Sequence, residues 1–160
     1  IYYFHNKTIL FLINIYLYII MKNKLQIPRG YKAYKTIEGK FAAHIGPYFL
    51  KKAFPDTVFG TYVENYQSNL NEVAHGGFLM AYADSVGGFF AYNTVKKGIV
   101  TINLNSQFIR PVPIGSWLEA IGKVKKYGKR LVFVDIEMYI KKQLVFSSTG
   151  TWQIINIDKH

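Results

Sequence analysis

A chain of 160 residues, half of them hydrophobic, has enough apolar mass for one packed domain. It has no cysteine, which removes disulfides, thiolate metal sites and cysteine nucleophiles, and its four histidines (His5, His44, His75 and His160) are too scattered for a metal-ligand motif. Lysine and arginine outnumber acidic residues 20 to 9, and the net charge of +11 suits a phosphate-bearing partner or reflects a lysine-rich, AT-biased genome.

Residues 9–21 form an apolar run broken only by Asn14. The run is shorter than the roughly 20 apolar residues of a membrane span, and no small-residue cleavage site follows it. Met21 then opens Met-Lys-Asn-Lys in the manner of a translation start. Residues 1–20 are therefore expected to be an upstream extension, with an N-terminal anchor or pairing segment as the competing reading, and residues 21–160 a single domain.

Residues 21–56 carry Pro28-Arg29-Gly30, Gly39, Gly46-Pro47 and Pro55-Asp56, which predict a loop-rich lead-in with one short helix near residues 46–53. Residues 57–66 are β-branched and aromatic and predict a strand; the polar residues 67–74 predict a turn. Over residues 77–93, Phe78, Leu79, Tyr82, Val86, Phe89 and Phe90 recur at helical spacing. Gly87-Gly88 inside that helix costs about 1 kcal/mol per glycine relative to alanine. Either the helix packs closely on another surface there, or it ends near Val86. Four strand-like runs follow, at residues 98–109, 117–126, 130–141 and 144–155. Their short links predict antiparallel hairpins, and hence a four-stranded meander with the helix covering one face, an α+β plan.

The densest chemistry lies at His75-Gly76-Gly77, with Asn69 before it and Asp84 after it. Adjacent glycines admit another group close to the backbone, and a helix starting there leaves N–H groups free for negative charge. An acyl carbonyl oxygen becoming an oxyanion is one such charge. Asp84, expected among Phe78, Tyr82, Phe89 and Phe90, would be partly desolvated, which favours a carboxylate acting as a base. Gly77 and Asp84 stand seven residues apart, about 10 Å along a helix, too far to act on one carbonyl carbon. Two helices antiparallel across a two-fold axis would bring one copy's glycine to the other's aspartate, so the chemistry favours a dimer with shared sites. Asp135 and Glu137, at alternate positions of the strand together with Leu131 and Phe133, read as packing or edge features.

The pattern Asn69-Leu-Asn-Glu-Val-Ala-His75-Gly76-Gly77, with Asp84 seven residues on, resembles the hotdog-fold acyl-CoA thioesterases, in the branch of the phenylacetate-degradation thioesterase and its mitochondrial relatives. The stretch from Thr101 to Arg110-Pro111, with Gly115, resembles that branch's strand after the helix, and Gly46-Pro47 its lead-in. The resemblance spans roughly residues 40–155. It implies a hotdog fold, an antiparallel sheet wrapped around one long central helix, and hydrolysis of an acyl-CoA to free acid and coenzyme A. Coenzyme A is then part of the substrate and no separate cofactor is needed. The resemblance implies that Asn69 and the Gly76 N–H polarise the thioester carbonyl. Asp84 would activate water, direct attack being the less favoured alternative, and Thr101 would orient that water.

His75 is read as ordering the loop, with catalysis as the alternative. Gly77, Arg110, Lys126, Lys129 and Arg130 are candidate contacts for coenzyme A; for the basic residues, charge-assisted bonds to phosphate are the reason, and Lys125 belongs to the same basic group. A homodimer or dimer-of-dimers tetramer, in the cytoplasm, with sites at the subunit interface and without membrane or nucleic-acid partners, completes the expectation. A 3-hydroxyacyl-thioester dehydratase and a non-catalytic acyl-CoA sensor are the competitors. The His-Gly-Gly context with Asn69 argues against the first, and Asp84 against the second. No phosphate-binding glycine loop and no nucleic-acid motif is present.

Overall fold

Strand alternation builds the sheet. In the computed structural model, which describes residues 27–156, Val132, Val134, Ile136 and Met138 of one strand are buried, while Phe133 and Glu137 between them are exposed. The described elements are β1 (Lys32–Tyr34), α1 (Phe41–Ile45), β2 (Tyr48–Lys51), β3 (Val58–Tyr62), a single 3-10 turn (Asn65–Gln67), α2 (Gly76–Val95), β4 (Gly98–Phe108), β5 (Trp117–Tyr127), β6 (Leu131–Ile140) and β7 (Gln143–Ile155). The extension expected at residues 1–20, the start expected at Met21, and His5 and His160 lie outside the described residues. No helix among the described residues is long and apolar enough to cross a membrane.

All seven strands join one antiparallel sheet in the order β1-β2-β3-β5-β6-β7-β4. Helix α2 packs on one face of it, burying Phe78, Tyr82, Val86 and Phe90 among others. The helix runs unbroken through Gly87-Gly88, as close packing requires. A Cβ on Gly87 would come within 2.2 Å of the Trp152 ring, and one on Gly150 within 2.3 Å of the same ring. Both glycines are the gap into which Trp152 fits.

Three sequence expectations are corrected. The four final strands are not a meander. β4 pairs with β7, from Gly98↔Ile155 to Phe108↔Phe146, and β5 pairs with β3 and β6. The link after β4 instead crosses the N-terminal end of α2: Ala74 N–H donates to the Val112 carbonyl (2.8 Å) and Val63 N–H to that of Ser116 (3.0 Å). Val112 is buried, so a core contact, not link length, decides the route. The lead-in helix lies at Phe41–Ile45, and Tyr48–Lys51 is a strand instead. Gly46 N–H closes the helix on the Ala42 carbonyl at 3.1 Å, and Pro47 has no N–H with which to continue it. The strand expected over residues 57–66 stops at Tyr62. Beyond it, Glu64 N–H donates to Gln67 Oε1 (2.8 Å) and Gln67 Nε2 to the Ile45 carbonyl (2.7 Å), so side chains divert the backbone into a turn.

Candidate active site

The loop before α2 is held by short-range polar bonds. Asn69 N–H donates to the Val73 carbonyl (2.8 Å), and Asn71 N–H donates to Asn69 Oδ1 (2.9 Å), an Asx turn. His75 N–H donates to the Gln67 carbonyl at 2.8 Å. The His75 side chain then caps the helix, Nδ1 accepting from Gly77 N–H at 2.9 Å. This loop-ordering role occupies the ring nitrogen nearest the glycines.

With Gly77 N–H taken, Gly76 N–H is left without an acceptor among the described residues. Gly76 is the first helical residue, where the backbone dipoles favour negative charge. It opens on a cavity of about 340 Å³ that Asn69, Leu79, Phe108 and Arg110 also line. A Cβ on Gly76 would stand 3.2 Å from the Phe108 ring, and one on Gly77 3.0 Å from His75 Nδ1. The two glycines therefore serve different neighbours. The wall formed by Phe108 escaped the sequence reading, although its place at the end of β4 beside Arg110 was a usable signal.

Asp84 and Thr101 form the second group. Thr101 Oγ1 donates to Asp84 Oδ1 at 2.7 Å, joining α2 to β4. The aromatic surround expected for Asp84 is not there. Phe78 and Phe90 lie six residues to either side of it, about 120° away around a helix, and are buried in the core. Asp84 is half-buried, and its carboxylate meets β4 instead. A β-bulge between Thr101 and Asn103 also overturns simple alternation along β4. Thr101 pairs with Trp152 and Leu104 with Gly150, both on the helix side, while Asn103 pairs with Thr151 on the other face. Strict alternation would place residues 101, 103 and 105 on one face; the bulge instead puts Thr101 and Asn103 on opposite faces.

Within one chain the two groups stay apart. Gly76 and Asp84 are eight residues apart on one helix, a rise of about 12 Å. The basic residues expected to cluster are also divided. Arg110 lines the Gly76 cavity and donates to the Leu144 carbonyl at 2.6 Å. Lys126, Lys129 and Arg130 line a cleft of about 300 Å³ at the β5–β6 hairpin, at the opposite end of the sheet. There Ile154 N–H donates to the Arg130 carbonyl (2.8 Å), and Ile154 pairs with Ile99 of β4, on the side of the sheet nearest Thr101. Lys125 is spent on Asp135, 3.1 Å away, an exposed pair worth less than about 1 kcal/mol. Among the described residues no three His, Asp or Glu side chains are grouped to hold a metal ion.

Known proteins share both the sequence pattern and the architecture. A model described as the thioesterase superfamily matches residues 71–147, which include His75, Gly76, Gly77, Asp84 and Thr101 and leave Asn69 just outside. A Thermoplasma volcanium protein that carries an esterase name is 32% identical over 94 residues, covering 56% of this chain and 68% of the relative. The acyl-CoA thioester hydrolase YciA of Escherichia coli is 28% identical over 88 residues, 54% of this chain and 67% of that protein. Among solved structures, a mutant of the phenylacetic acid degradation protein PaaI from Thermus thermophilus superposes with a TM-score of 0.66 at 25% identity, covering 72% of this chain and 98% of that one.

Proposed function

The chain belongs to the thioesterase superfamily and has its hotdog fold, and from that premise we propose that it hydrolyses an acyl-CoA to the free acid and coenzyme A. The observation that carries this reading is the Thr101–Asp84 hydrogen bond, which holds a half-buried carboxylate of α2 against β4. Thr101 fixes Oδ1 and leaves Oδ2 to accept a proton from water. That water attacks the thioester carbonyl carbon. The Gly76 N–H, at the positive end of α2, and the Asn69 side-chain amide receive the charge that develops on oxygen. Collapse of the tetrahedral intermediate breaks the C–S bond, and the departing thiolate takes up the proton held at Asp84. His75 supports the reaction by capping the helix.

A complete site needs two chains. Among the described residues β4 is an edge strand, 11 residues long, with Val100 51% and Ile102 55% exposed. A long exposed edge with apolar side chains is a template for pairing. Antiparallel pairing of β4 with a second copy across a two-fold axis would carry one chain's Gly76, Gly77 and Arg110 toward the partner's Asp84, Thr101, Lys129 and Arg130. The phosphates of coenzyme A would then lie between basic residues of both chains, with Lys126 further out on the hairpin. We place the enzyme in the cytoplasm as a homodimer or a dimer of dimers.

Thiol release from a panel of short, medium, long and aromatic acyl-CoAs tests the reading. Asp84→Asn should keep the fold and acyl-CoA affinity and lower turnover by about 10² to 10⁴, the range for loss of a general base. Undiminished turnover in the variant would remove Asp84 from the mechanism. Binding without release by the wild type would favour a non-catalytic acyl-CoA sensor.

A further inference from the structure

At the C-terminal end of α2 lies a cleft of about 780 Å³, opened where β5 outruns β3. Pairing between these strands ends at Val58↔Ile121, whereas β5 continues against β6 as far as Tyr127. Among the described residues, one edge of β5 beyond Ile121 is therefore without a strand partner, and residues 52–56 form the opposite wall. The apolar lining comes from both faces of the sheet around the end of β5: the rings of Phe54 and Phe90, whose centroids are 5.9 Å apart, lie on the helix side with Gly122, while Val58 and its pairing partner Ile121 lie on the other face.

The rim carries the opposite chemistry. Lys52, Lys123 and Lys126 have no carboxylate partner among the described residues, while Lys125 is paired with Asp135. Asp56 is the sole acidic residue on the lining. Lysine stems can cover apolar wall while their ammonium groups stay at the mouth. The recess thus offers surplus positive charge beside a hydrophobic lining, with a volume in the range of small-molecule sites. Phe90 stands 14 residues beyond Gly76, about 21 Å along the helix, and faces away from Asp84. The cleft is separate from the Gly76 group and from the Asp84 group, and it meets the hairpin cleft of Lys129 and Arg130 at Lys126 and Tyr127.

We infer that this cleft binds a free fatty acid, with its chain on Phe54 and Phe90 and its carboxylate at the edge of β5 between Lys52 and Lys123. Three features select that ligand class. An apolar lining rewards a hydrocarbon chain, a rim with surplus cations rewards one anionic head, and a walled recess suits a single chain better than a bilayer surface. The inference does not depend on hydrolysis, although a fatty acid belongs to the product class of the proposed reaction.

Calorimetric titration of the full chain with dodecanoate below its micelle concentration, followed by backbone amide NMR, tests it. Dodecanoate should bind once per chain at this cleft and shift the amides of residues 122–127 and Phe54. Lys52→Glu combined with Lys123→Glu should weaken this binding at least tenfold; both side chains are exposed, so the fold does not depend on them. Asp84→Asn should leave it unchanged, and dodecyltrimethylammonium should not bind there. Undiminished affinity in the double variant would overturn the inference, as would shifts confined to residues 76–84. Binding of dodecyl phosphate or inorganic phosphate without binding of dodecanoate would likewise overturn it.

Discussion

At the residue scale, a few side chains have environments that make sharp predictions. The Thr101 hydroxyl donates to an ionisable partner, and such bonds contribute about 1.5–3 kcal/mol, so Thr101→Val should lower kcat by about 10- to 100-fold with little change in KM. Steady-state kinetics across the acyl-CoA panel would check it. The buried Tyr48 and Tyr82 hydroxyls have no hydrogen-bond partner among the described residues, and their rings are 5.0 Å apart. Burial pushes the Tyr48 hydroxyl up to about 12, and that of Tyr82 well above its ordinary value near 10. Above pH 10 the unfolded chain releases protons that the folded chain keeps, so their contribution is intact below pH 10 and is lost as pH rises toward 12. Denaturant unfolding between pH 8 and 11 should show that decline, and Tyr82→Phe should flatten it without destabilising the protein at pH 7, since it removes an unpaired buried hydroxyl.

At the scale of elements, the helix and the sheet face are cut to one another. The Trp152 ring fills the space a side chain at Gly87 would need, at 2.2 Å, so Gly87→Ala must displace the ring or the helix. Overpacking of that kind typically costs about 1–3 kcal/mol, and the shift in urea midpoint would measure it. Here local propensity is overruled: two glycines weaken an isolated helix, but the close approach they permit returns buried contact. α1 and β2 show the same contest at shorter range. The sequence signals at Gly46-Pro47 marked a break correctly, but the helix lies before it and the strand after it. What settled the matter was the burial of Tyr48 against Tyr82, a contact 34 residues away in the chain that no local window contains.

At the scale of the whole molecule, the proposed mechanism divides its groups between two half-sites on one helix and so calls for a second copy, which is testable by mixing. Gly76 occupies the first helical position, where proline is well tolerated, and His75 already has the extended backbone that a following proline prefers. Gly76→Pro should therefore delete the N–H while the chain still folds, with Phe108, 3.2 Å from the added Cβ, giving way slightly. Gly76→Pro and Asp84→Asn dimers should each be nearly inactive. Unfolded and refolded together, they should regain roughly a quarter of wild-type turnover, since half the dimers would be mixed and each mixed dimer would hold one intact site. No recovery in a mixture shown to contain mixed dimers would exclude sharing of the site between chains.

The helix, its start at the glycines, the four long strands, and the residue types at positions 69, 75–77, 84 and 101 were all legible in the sequence. Periodicity, capping and backbone freedom are local properties, and they are written in neighbouring residues. The partner of β4, the face on which Thr101 lies, the environment of Asp84 and the separation of Arg110 from Lys129 and Arg130 were not legible. Each depends on which distant surfaces meet: buried Val112 steers the link away from a hairpin, and one extra residue in β4 reverses the side-chain alternation that pattern reading assumes. The order of residues settled which groups are available for chemistry. Which of them meet was settled by the packed fold, because burial and pairing between remote segments outweigh the local preferences of the segments themselves.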